Sequence, residues 1–138
     1  PKRDKPSPSR SSGTASMSDL PVQLKFTALF KRRLKGLAKK YRQIQTDVQP
    51  VLDEIIQGNF IGNQIAGTQY TVYKVRAENS DAQVGKSGGY RLIYQVESPT
   101  QVVLHLIYSK SEQANVFAEE IQTAIAQYQA DQGDRQLT

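Results

Sequence analysis

Val22, Leu24 and Phe26 alternate with polar neighbours, the period-two pattern of a short strand over Pro21 to Phe26. Thr27 then stands where an N-cap belongs. Leu29, Phe30, Leu34, Leu37, Ala38 and Tyr41 follow at three- and four-residue spacing, which predicts an amphipathic helix to about Tyr41. Val48, Val51, Leu52, Ile55 and Ile56 form a second stripe, predicting a helix from about Ile44 to Gln57 that Gly58 and Asn59 stop. Pro50 is tolerated only in a first turn, which Asp47 as N-cap would provide, so the start of this helix is open. After Gly67 the period changes to two. Strands are predicted over Tyr70 to Asn79, Tyr90 to Glu97 and Gln101 to Ser109. A long polar, glycine-rich loop joins the first two, and Ser98-Pro99-Thr100 turns the chain between the others. Val116, Phe117, Ile121, Ala124, Ile125 and Tyr128 predict a final helix from Glu112 to about Gln129. The expected fold is α+β: strand, helix, helix, an antiparallel three-stranded meander and a C-terminal helix, with the helices packed on one sheet face.

Composition bounds this picture. A chain of 138 residues, 38% of them hydrophobic, suits one domain with a modest core. No apolar run reaches the length of a membrane span, and no secretory leader is recognisable. Cysteine is absent, which excludes disulfides and thiolate metal sites and is compatible with a reducing cytoplasm, the expected location. Residues 1–16 hold three of the six prolines, are rich in serine and lack any large apolar side chain. Such a segment cannot bury enough surface to offset its ordering entropy. It is read as a disordered tail left from recombinant expression, a native basic arm being the alternative, and residues 17–138 as the single domain. The net charge of +5 falls largely on that tail, which carries +3 and leaves +2 for the domain. Where the domain's cations lie therefore matters more than their number.

Two clusters stand out. Lys25 to Arg42 contains eight cations and no acid; Lys31, Arg32, Arg33 and Lys35 lie on the polar face of the first helix and suit ribosomal RNA, against the competing reading of a solvated face. On the strands, Lys74 and Arg76 share a face, and Arg91 looks out opposite the face of Leu92. Lys86 in the loop and Lys110 at the end of the last strand complete a cationic patch able to hold a phosphodiester and the extra charge of its transition state. Tyr90 and Tyr108 add aromatic faces for unpaired bases. The competing reading is a set of solvated strand charges. His105, the single histidine, sits among apolar residues and reads as a core or edge side chain. One histidine without cysteine argues against zinc. Gly85-Lys86-Ser87 matches the end of a phosphate loop but lacks the upstream glycine and joins two strands, so no nucleotide site is expected. Glu119 and Glu120 are adjacent on a helix and do not form a catalytic pair.

Val72-Tyr73-Lys74-Val75-Arg76, Gly85 to Tyr94, and Ile107-Tyr108-Ser109-Lys110-Ser111-Glu112 resemble the RelE superfamily of toxins, nearest its RelE and HigB-like branches. The resemblance covers about Phe26 to Ile125. It implies a ribosome-dependent endoribonuclease that cleaves mRNA in the decoding site, held inactive by a cognate antitoxin. It implies no metal or other cofactor: the RNA 2′-hydroxyl attacks the adjacent phosphate. Lys74 and Arg76 match the family's basic pair and Arg91 its phosphate-clamping arginine. Ser111 and Phe117 stand where RelE carries an arginine and a tyrosine, and Tyr108 and Lys110 are expected to take over those roles. A ParE-like gyrase inhibitor and a catalytically inactive binding protein of the same fold are the alternatives.

Overall fold

The computed structural model describes residues 21–80, 89–113 and 115–137, without the side chains of 133–137. The tail expected over 1–16 and Lys86 lie outside the described residues. The elements are β1 (Gln23–Phe26), α1 (Ala28–Lys40), α2 (Ile44–Ile56), β2 (Asn63–Gln64), β3 (Val72–Ala77), β4 (Tyr90–Ser98), β5 (Gln101–Ser109) and α3 (Ala118–Leu137). Among the described residues the fold is α+β, a five-stranded sheet with order β1-β5-β4-β3-β2 and three helices. β3, β4 and β5 form the antiparallel meander. β1 pairs in parallel with Gln101 to Leu104 of β5, and β2 adds an antiparallel edge to β3. No described helix is long and apolar enough to cross a membrane.

Local chemistry explains most of these boundaries. Thr27 caps α1 with its hydroxyl, which accepts the Phe30 amide at 3.0 Å. α2 begins at Ile44, so Pro50 lies within it rather than in a first turn. Pro50 is solvent-exposed, and water can satisfy the carbonyl one turn back that loses its amide partner. Asp47 does not cap this helix. Its carboxylate accepts the Ser80 amide at 2.9 Å and the Ser80 hydroxyl at 3.0 Å, tying α2 to the chain after β3. α3 starts at Ala118, later than the apolar stripe suggests, because the Ser109 carbonyl captures the amides of Glu112 and Gln113 in a turn.

The sheet is covered on both faces, which corrects the one-sided packing expected from sequence. Phe30, Leu37, Ile44, Val48, Val51 and Ile55 of α1 and α2 pack on Val75, Leu92, Tyr94, Val102, Leu104 and Ile107. Ile121 and Ile125 of α3 pack on the opposite face, over Val72, Ile93, Leu106 and Tyr108. A β-bulge changes which β5 side chains reach each face. Ile93 pairs with Leu106 but Tyr94 with Leu104, which leaves His105 as the extra residue. Past it the alternation of β5 is re-phased, so Ile107 joins the α1 side and Tyr108 the α3 side.

Candidate functional site

The pairing register sets Arg76, Arg91 and Tyr108 side by side on β3, β4 and β5. Arg76 is opposite Arg91, and Arg91 is opposite Tyr108. One rung along the same face stand Lys74, Ile93 and Leu106, with Asn63 of β2 beyond Lys74. Three cations expected from the strand pattern are thus gathered on one face. Like charges directly opposite on neighbouring strands cost a few tenths of a kcal/mol to about 1 kcal/mol, so the Arg76–Arg91 rung favours an anion above it. Among the described residues, the hydrogen bond of the Arg91 guanidinium is a 3.3 Å contact to the Tyr90 carbonyl, which leaves most of its five donors for a ligand.

Gly89 shapes the ground beside Arg91. Its φ of 100° suits glycine, and a Cβ there would stand 2.7 Å from the Ala77 carbonyl oxygen and 3.7 Å from Arg91 Nη1. The Lys110 amide donates to the Gly89 carbonyl at 2.9 Å, which brings the backbone of Lys110 next to the row.

Tyr108 closes the row and is 4% exposed. Burial raises the pKa of its hydroxyl; Arg91 pulls it down and Glu120, in the first turn of α3, pushes it up again. The phenol therefore keeps its proton and can donate it. Glu120 also meets Arg33 of α1 at 3.6 Å, a link across the outer edge of β5 beyond its pairing with β1. There Arg33, Leu37 and Lys40 face Tyr108, Ser109 and Glu112 across a groove of about 360 Å³. Lys40 binds Glu112 at 2.8 Å on its far wall.

Tyr90 is not a base-stacking platform. It is fully buried under α1, its ring edge-on to Tyr41 at 5.8 Å. Strand alternation requires this, because a residue next to Arg91 must face the other way. Tyr108 is likewise too enclosed to stack on a base. Lys31, Arg32 and Lys35 are exposed on α1, and no contact among the described residues joins them to the row, whereas Arg33 reaches it through Glu120. His105 is 1% exposed, its Nε2 2.8 Å from Gln95 Oε1 and its ring edge-on to Tyr128. Burial lowers its pKa to about 4, so it is neutral and remote from the arginines. Phe117, just before α3, is 69% exposed and is the aromatic surface that periodicity had assigned to the core. Among the described residues, no three histidine or carboxylate side chains come together as metal ligands. Compared with family models and with curated proteins, the chain finds no match.

Proposed function

We propose that this chain is a toxin of the RelE and HigB-like type: a ribosome-dependent endoribonuclease that cleaves mRNA and is restrained by a cognate antitoxin. The observation that carries this reading is the Arg76–Arg91–Tyr108 rung, two opposed guanidinium groups ending on a phenol that holds its proton. In the proposed reaction the ribose 2′-oxygen attacks phosphorus, the P–O5′ bond breaks, and a 2′,3′-cyclic phosphate and a 5′-hydroxyl result. Arg91 and Arg76 hold the non-bridging oxygens, whose charge grows in the transition state. Tyr108 donates to the departing 5′-oxygen. Lys74 and Lys110 extend the positive field to either side, and the α1 cations Lys31, Arg32 and Lys35 meet ribosomal RNA.

The test is primer extension on ribosome-bound mRNA with purified protein freed of antitoxin. Cleavage is expected with the wild-type chain and a loss of at least ~100-fold with Arg91→Ala. Uncut mRNA at every codon tested would reject the reading. The low exposure of Tyr108 favours a second reading, a binding protein of this fold that does not cleave. Ribosome binding without scission would select it, whereas inhibition of DNA supercoiling with intact translation would point to a ParE-like activity.

A further inference from the structure

We infer that Glu120 is the general base that removes the 2′-hydroxyl proton, and that Arg33 positions it; this rests on the ribonuclease reading above. The chemistry needs a proton acceptor beside the arginine rung. His105 is walled in by Gln95 and Tyr128, below the middle of α3. Tyr108 holds its proton, and the guanidinium groups offer no acceptor. A carboxylate, ionised at neutral pH without help from its surroundings, meets that need.

The described carboxylates differ in what holds them. Asp47 is committed to Ser80, Glu112 to Lys40 and Tyr41, Glu54 to Asn59, and Asp53 to Gln49. Glu78 extends β3 on the Arg76 face but is exposed, and no contact among the described residues orients it. Glu120 is oriented yet open. Among the described residues its ion pair is to Arg33 at 3.6 Å, longer than a hydrogen bond, which leaves carboxylate lone pairs available. Its side chain is 41% exposed, so a ribose can reach it. It stands in the first turn of α3, on the flank facing α1 rather than the flank where Gln122 binds the Gly67 carbonyl, and its charge is felt at the Tyr108 hydroxyl. Base, acid and phosphate clamp thus converge from α3, β5 and β4. A base held by a third group is the recurring arrangement of proton-transfer sites.

The proton balance closes. Glu120 takes the 2′-hydroxyl proton as the O2′–P bond forms, and Tyr108 supplies the proton that leaves with O5′. The experiment is single-turnover cleavage of ribosome-bound mRNA from pH 4 to 8, with ribosome binding followed by co-sedimentation. Glu120→Gln should cut at least ~100-fold more slowly, bind ribosomes within about twofold of wild type and lose the acidic limb of the pH–rate profile. Glu120→Asp should restore part of the rate with the limb intact. Arg33→Gln should lower the single-turnover rate about tenfold with ribosome binding within about twofold of wild type, and Arg33→Lys should restore part of that rate. Glu78→Gln should cleave like wild type. A Glu120→Gln rate within threefold of wild type, or a retained acidic limb, overturns the assignment, as does an equal loss in Glu78→Gln. Uncut mRNA with the wild-type chain would instead overturn the ribonuclease reading and this inference with it.

Discussion

At the scale of single residues, the site depends on positions that carry no charge. Gly89 lets the chain turn into β4 beside Arg91, and any side chain there meets the Ala77 carbonyl. Gly89→Ala should lower stability by roughly 1–3 kcal/mol in urea denaturation and slow cleavage more than the stability loss explains. His105 makes a second prediction, in pH. Its folded-state pKa of about 4 lies below the unfolded value near 6.5, so the unfolded chain binds the extra proton. The stability this burial permits is whole above about pH 6.5 and falls as pH drops toward 4, by roughly 3 kcal/mol at most. Comparing wild type with His105→Gln by urea denaturation across that window isolates the term from carboxylate titration: the wild-type curve should fall more steeply. Parallel curves would contradict the burial of a neutral imidazole. Some of this level was legible in the sequence. Strand parity placed Lys74, Arg76 and Arg91 together and, applied to Tyr90, would have sent it into the core.

At the scale of elements, regular patterns were read well and irregular ones poorly. β5 runs over Gln101–Ser109 as its apolar run predicts, and α1 starts at its Thr27 cap. β2 was invisible because two polar residues carry no period. The start of α3 was misplaced because Val116 is buried and counts toward the stripe although it precedes the helix. Pro50 follows from the same physics. Its exposed place inside α2 costs a helix bond without filling any packing need, so Pro50→Ala should stabilise the protein by about 1–2 kcal/mol, read as a raised Tm. A lowered Tm would mean that the backbone path Pro50 sets in α2 is itself required, through Asp47 and Ser80.

At the scale of the whole molecule, charge is divided between two surfaces. The arginine rung lies on the sheet face that α3 partly covers, while Lys31, Arg32 and Lys35 project from a helix packed on the other face. Binding and chemistry should therefore separate. Reversing Lys31, Arg32 and Lys35 to glutamate should weaken ribosome association and flatten its dependence of log affinity on log salt by roughly two to three. Single-turnover cleavage at saturating protein should change little. The sequence could not show the bridge between the two surfaces. Arg33 and Glu120 come from opposite ends of the domain, and no local spacing announces their meeting.

The bulge at His105 has a consequence for how such a protein can vary. β5 behaves as a text with a two-letter frame, and His105 is the inserted letter that shifts it. Inserting one more residue beside it, with the bulge kept, would turn Tyr108 toward α1 and Ile107 toward Arg91, whereas deleting His105 closes the bulge and leaves both where they are. A chain with that insertion should fold less well and should cut no RNA even where it folds, while a chain without His105 should keep the rung. Point substitution at the same position, which keeps the count, should spare the chemistry. Insertions in β5, more than exchanges of residue, would then mark which descendants of this sequence had lost the site.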